Sequence, residues 1–224
     1  MDEYITCKKV KDNFHAFLIE GAELTSVEGY PLLEKWMVPS EPPKKIIPFN
    51  KIKGIKDIEN YYICTYCRDE DFMKIYRNPK QYLKLFSKAA GLIGFDLSVH
   101  EDMPPVKQKE QMNHNLELSF YYGIRNIKLI PNIRPGSDSV NFEYYKAFPK
   151  GTMVSIGTYG FFKSKEEKLN HKKCIEEIVD VLKPSGIIVY GSFDDNVFEK
   201  CINNNIPLYI YRSETSEKLE AYKR

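Results

Sequence analysis

The chain has 224 residues, 42% hydrophobic, 13% aromatic and 29% charged, a balance that excludes disordered, collagen-like and low-complexity polypeptides. Lysine and arginine (33) nearly offset aspartate and glutamate (31), leaving a formal charge of +2, so no whole-chain field draws the protein to nucleic acid or acidic lipid and any basic site must be local. Folding at this length buries roughly 70% of the unfolded surface, enough for a core without disulfide or metal support.

Residues 1–43 show no sustained hydrophobic period. Apolar clusters at 14–19 and 32–38 each read as a short strand or turn, and Pro39, Pro42 and Pro43 then punctuate the chain by restricting φ and pushing their predecessors out of the helical region. We expect an amino-terminal cover segment at 1–43, ahead of an α/β domain at 44–224. From Ile46 short apolar runs alternate with helical patterns, the mark of βα units and a largely parallel sheet. Strands are expected at 46–49, 61–66, 92–97, 127–133, 152–157, 186–190 and 208–211.

The helices between them are better marked. Asn78-Pro79 supplies a cap and a first-turn proline, Tyr82, Leu83, Phe86, Ala89 and Ala90 share a face, and Gly91 ends the helix. Pro104 and Pro105 open a helix to about Tyr122 whose first half is polar, and Asp138 or Ser139 opens a shorter one. Ser164-Lys165-Glu166-Glu167 is a capping box, followed by Ile175, Ile178, Val179 and Leu182 at helical spacing. Asp194-Asp195 caps a last helix with Val197, Phe198, Cys201 and Ile202 facing inward. Six or seven mostly parallel strands with alternating helices make either an open doubly wound sheet or a shortened β/α barrel, and both layouts place ligands at the carboxyl ends of the strands.

Polar side chains recur at those ends. Asn50 follows the first strand, Cys67, Arg68 and Asp69 the second, Asp96, Ser98 and His100 the third, Asn132 and Arg134 the fourth, Thr158 the fifth, and Tyr190, Ser192, Asp194 and Asp195 the sixth. The opposite ends carry mainly turn residues. Asp96 and Ser98 project to one side, where the carboxylate can accept a proton, orient a water or hold a cation. Arg134, ahead of a Pro135-Gly136-Ser137 turn, suits phosphate or carboxylate recognition, or an internal ion pair with Asp96. The turns after Gly157 and Gly191 lie where phosphate loops sit, although neither matches a phosphate-loop fingerprint.

Other motifs point away from chemistry. Cys64 and Cys67 have C-x-x-C spacing but lack two further zinc ligands and read as buried thiols. The four histidines form no metal-binding pattern, and only His100 is near the proposed edge. No nucleophile elbow is present. Tyr121-Tyr122 and Tyr144-Tyr145, near Arg125, Lys128 and Lys146, read as packing residues, with a stacking platform for single-stranded nucleic acid as the alternative. No apolar run nears the roughly 20 residues of a membrane span, residues 1–12 are too polar for an export signal, and five cysteines suit reduced thiols. Together these point to a cytoplasmic protein.

The ordered motifs Ile47-Pro48-Phe49-Asn50, Phe95-Asp96-Leu97-Ser98, Asp102-Met103-Pro104, Ile130-Pro131-Asn132-Ile133-Arg134, Ser155-Ile156-Gly157-Thr158 and Val189-Tyr190-Gly191-Ser192 resemble an uncharacterised domain family carried by phages, plasmids and chromosomes of Gram-positive bacteria. The resemblance runs from about Lys44 to Tyr211 and implies a bacterial or phage accessory protein, with no residue roles attached. The expected function is binding of a phosphate-containing ligand, a nucleotide or nucleic-acid strand, at the carboxyl edge. Arg134 would meet the phosphate, and Asn50, Asp69, Ser98, Asn132, Thr158, Tyr190 and Ser192 would orient the ligand. Asp96 would position a water or a divalent cation if a phosphoester is hydrolysed. The alternative is a non-enzymatic protein that sequesters a host signal molecule or blocks a host protein.

Overall fold

Among the described residues the apolar runs from Ile46 onward become seven parallel strands in two sheets. The first holds β1 (Ile46–Pro48), β2 (Tyr62–Cys64), β3 (Gly91–Ile93) and β4 (Leu129–Ile130) in that order, and the second holds β5 (Met153–Gly157), β6 (Gly186–Tyr190) and β7 (Leu208–Tyr211). A single parallel bridge, Asn132 to Ser155, joins them. The structure, a computed structural model, describes residues 14–158, 162 and 164–213.

Alternation along each strand sorts its side chains onto two faces. Ile47, Ile63, Leu92, Leu129, Val154, Ile156, Ile187 and Val189 pack with the helices in the main core. Tyr62, Cys64, Ile93, Ile130, Met153, Ile188 and Tyr190 point the other way into a second cluster, to which Ile46, Tyr209 and Tyr211 also contribute and no helix does. Burial on both faces explains why these runs are almost wholly apolar, and each buried large side chain contributes roughly 1.5–3 kcal/mol. Because the second cluster collects residues from β1 through β7, the strands bend around it, and the Tyr211 hydroxyl reaches the Pro43 carbonyl. No ladder joins β1 to β7 among the described residues. The sheet is therefore open, which resolves the two layouts against a closed barrel.

Among the described residues six helices cover the outer face: α1 (Asp69–Arg77), α2 (Pro79–Phe86), α3 (Pro105–Gly123), α4 (Asp138–Lys146), α5 (Lys165–Leu182) and α6 (Glu199–Asn203). In α3 the polar first half buries only Gln108, Met112 and Asn115, whereas every residue from Leu116 to Gly123 is buried. The α5 capping box is present, with Glu167 N–H donating to Ser164 Oγ at 3.0 Å and Ser164 N–H donating to Glu167 Oε2 at 3.1 Å. The sequence reading misses α1, which buries only Phe72 and Ile75 and so shows too few apolar positions for a period. Its acidic first turn and basic last turn suit the helix dipole. Asp194 caps the turn at Asn196 and Val197, but α6 starts only at Glu199 and is too short to bring Ile202 inward. That residue is exposed, contrary to the inward face expected of it.

The apolar clusters of the amino-terminal segment form 3-10 turns at Ala16–Ile19 and Lys35–Met37, and Leu18, Tyr30, Leu33 and Met37 enter the main core. At its start the His15 ring stacks on Tyr76 of α1 (4.8 Å between centroids), and Tyr76 also meets His114 of α3 at 4.3 Å. The Tyr76 hydroxyl donates to Glu117 Oε2 at 2.9 Å and Asn113 Nδ2 donates to Oε1 at 2.8 Å. Burial raises the Glu117 carboxyl from 4.5 to about 7 and lowers His114.

Two outcomes follow for stability. Ser164→Ala removes the hydroxyl acceptor of the capping box and is expected to cost about 1 kcal/mol in chemical denaturation. For Glu117, the folded state holds the proton more tightly than the unfolded chain, so its contribution falls as pH rises from 4.5 through about 7. Glu117→Gln should remove this loss, on the order of 2 kcal/mol, and gain on wild type between pH 5 and pH 8 in paired denaturation curves. The opposite slope from His114, lost as pH falls below its unfolded value, is common to both proteins and cancels in the difference.

Candidate functional site at the carboxyl edge

The segment after β3 leaves the ladder early because side chains replace strand partners. Asp96 N–H donates to Thr65 Oγ1 (2.9 Å), Leu97 N–H to Asn115 Oδ1 (2.7 Å), and Ser98 N–H to Asp69 Oδ1 (3.1 Å). Asn115 Nδ2 returns a bond to the Leu97 carbonyl at 3.1 Å. Three anchors, from the end of β2, the middle of α3 and the start of α1, thus fix the backbone that carries Asp96. Gly94 is required just before it, since a β-carbon there would lie 2.4 Å from the Asn132 nitrogen.

Asn132 is the hub. Its Nδ2 donates to the Phe95 carbonyl (3.1 Å) and to Asp96 Oδ1 (2.8 Å), while its Oδ1 accepts from the Tyr66 hydroxyl (2.8 Å). The Tyr66 hydroxyl also contacts Ser155 Oγ at 2.7 Å. The Tyr66 ring stacks on Tyr190 (4.9 Å, 16° between planes) and lies over Gly157, where a β-carbon would come within 2.6 Å of it. A close approach of the ring, rather than a phosphate loop, accounts for that glycine. The other oxygen of Asp96, Oδ2, faces Arg134 Nη1 at 3.5 Å, with the two side chains 11% and 14% exposed. Arg134 N–H donates to the Tyr144 hydroxyl at 3.3 Å.

The structure therefore brings Asp96, Asn132, Arg134 and Tyr190 together. Asp69 and Ser98 form a separate pair, with Ser98 Oγ donating to Asp69 Oδ1 at 2.9 Å. Thr158 Oγ1 donates to the Ser192 carbonyl at 2.6 Å, so both residues serve the turns after β5 and β6. Asn50 is exposed in the 3-10 turn after β1 and joins none of these hydrogen bonds. Asp194 binds Lys168 at 2.6 Å. Among the described residues no group of three or more His, Cys, Asp or Glu could hold a metal ion. Tyr159, Gly160 and Phe161 of the turn after β5 lie outside the described residues.

A cleft of about 300 Å³ is lined in part by His100, Asp102, Glu167, His171 and Pro135, the residue after Arg134, and by neither Asp96 nor Arg134. Burial, with the Arg134 charge, lowers His171 to about 4, so its imidazole is neutral at pH 7. Sequence reading missed Tyr66, Ser155 and His171. Tyr66 also follows a strand, but its place inside the C-x-x-C element drew attention to the cysteines, and His171 sits in a helix with no motif around it. Burial pushes both thiols up, Cys67 to about 12, which leaves them unreactive. Tyr121, Tyr122, Tyr144 and Tyr145 are at most 2% exposed, so the stacking platform is excluded and these rings are core.

Tyr66→Phe deletes the hydroxyl that links Asn132 to Ser155. We expect a loss of about 1–2 kcal/mol in denaturation, because the Asn132 oxygen is left buried without its donor, and weaker protection of the 95–98 amides in hydrogen exchange.

Neither the comparison with curated proteins nor that with solved structures found a match. Among family models, one described as a domain of unknown function (DUF4417) matches residues 23–207. That region begins before the Lys44 start of the resemblance drawn from the motifs and takes in β1 through β6 with the whole Asp96–Asn132–Arg134 cluster. With well over half of the chain matched, the protein belongs to the DUF4417 family.

Proposed function

We infer that the protein is a binding domain for a phosphate-containing ligand of the nucleotide class, held at the carboxyl edge of the sheet. The observation that carries this reading is the Asp96–Arg134 pair, nearly buried yet placed at the strand ends, with Pro135, the residue after Arg134, lining a cleft. A desolvated ion pair is weak evidence for stability, since desolvation offsets much of its attraction. Here it sets a carboxylate acceptor and a guanidinium fork side by side, which matches the hydroxyls and phosphate of a sugar phosphate. The carboxylates of Glu101, Asp102 and Glu167 line the cleft, so the phosphate belongs at Arg134 and the uncharged, donor-bearing part of the ligand faces the cleft. Binding is favoured over hydrolysis because, of the other carboxylates that could converge, Asp69 is held by Ser98 and Asp194 by Lys168, while Asp195 is exposed. The resemblance to phage- and plasmid-borne domains supports an accessory role in the cytoplasm.

The test is calorimetric titration with nucleoside monophosphates and diphosphates, with the unphosphorylated nucleosides as controls. Arg134→Lys keeps the charge but loses the fork and should weaken binding at least tenfold, about 1.4 kcal/mol, while the nucleosides bind no better to wild type than to the variant. A folded wild-type protein that binds none of them overturns the reading.

A further inference from the structure

A second cavity lies at the other end of the sheet. It has a volume of about 480 Å³ and opens between the turn at 39–42, the 3-10 turn Ile58–Asn60 and the residues that lead into β1, β3 and β4. That size is within the range of small-molecule pockets. Tyr62, at the first position of β2 and only 6% exposed, lines it, and Pro39 and Pro42 add apolar walls.

The charges at its mouth are of both signs. Lys44 precedes β1 and Lys128 precedes β4, whereas Glu41 and Glu59 come from the two turns. All four are exposed, and none forms an ion pair among the described residues. Neighbouring Lys45, by contrast, meets Asp57 at 3.9 Å. The cations precede strands and the carboxylates lie on the two turns, and no lysine of the set is within ion-pair distance of either carboxylate. A small molecule carrying one charge of each sign would complete both sets, with its apolar part against Tyr62 and the prolines.

We propose that this amino-edge cavity is a second binding site, for a zwitterionic ligand of the amino-acid type with an apolar or aromatic side chain. Its carboxylate pairs with Lys44 and Lys128, and its ammonium with Glu41 and Glu59. The site is independent of the carboxyl-edge cluster, and no bond is made or broken in it.

Calorimetric titration with L-phenylalanine and L-leucine tests it, using N-acetyl-L-phenylalanine and L-phenylalanine methyl ester as probes that each lack one charge. The expected result is binding of the two amino acids, at least tenfold weaker binding of both blocked probes, and at least tenfold weakening in Lys128→Ala and in Glu59→Ala. Arg134→Ala should leave the affinity unchanged, which separates this site from the nucleotide reading. Melting without ligand checks that the variants, all at exposed positions apart from Arg134, remain folded. Absence of binding to wild type, binding that survives both Lys128→Ala and Glu59→Ala, or equal binding of the blocked probes would overturn the proposal.

Discussion

The rest of the structure depends on the few residues after β4 that pair in two directions. Gly94 N–H donates to the Ile130 carbonyl at 2.8 Å, Ser155 N–H to the Pro131 carbonyl at 2.7 Å, and Ile133 N–H to the Ser155 carbonyl at 2.9 Å. Among the described residues this seam is all that joins the four-stranded and three-stranded sheets by backbone pairing. Its central side chain, Asn132, is also the hub of the polar cluster. The same short segment therefore holds the two halves of the fold together and sets the distance from Asp96 to Arg134.

An amide at the hub has a physical advantage over a charged or apolar residue. One oxygen acceptor and two N–H donors serve Tyr66, Phe95 and Asp96 at once, and the Tyr66 hydroxyl fixes which end of the amide faces which neighbour. Tyr66, Phe95, Asp96, Asn132 and Ser155 thus form a connected network, in which buried polar groups stabilise each other. Tyr66, laid flat against Tyr190, closes the inner cluster of strand side chains at this end. A ligand at the carboxyl edge would rest on that lid and on the Asp96–Arg134 pair rather than enter the sheet.

The two ends of the sheet differ in the same way as their side chains. At the carboxyl end the Asp96–Arg134 pair is nearly buried, on backbone held by strand ends, α1 and α3. At the amino end Lys44, Lys128, Glu41 and Glu59 are exposed and form no ion pair among the described residues, around a larger cavity. Parallel strands produce this polarity directly, because every strand starts at one edge and finishes at the other, so residue types chosen for strand starts and strand ends never mix.

Much of the architecture was legible in the chain. The order of the apolar runs, the Ser164 capping box and the prolines that open α2 and α3 located most elements, since those signals act within a few residues. Where polar groups gather at the strand ends could also be read, and Asp96, Asn132 and Arg134 were named from it. The sequence could not show that Asp69 and Ser98 bind each other, that Asn50 stands apart, or that Tyr66 and His171 belong beside the pair. Nor could it choose an open sheet over a barrel, or mark α1 with only two buried positions. Those outcomes were decided by tertiary structure, because they depend on contacts between residues distant in the chain, such as Tyr66 with Ser155 and Asp96 with Asn132, whose distances follow from how the strands bend and pack rather than from any local pattern.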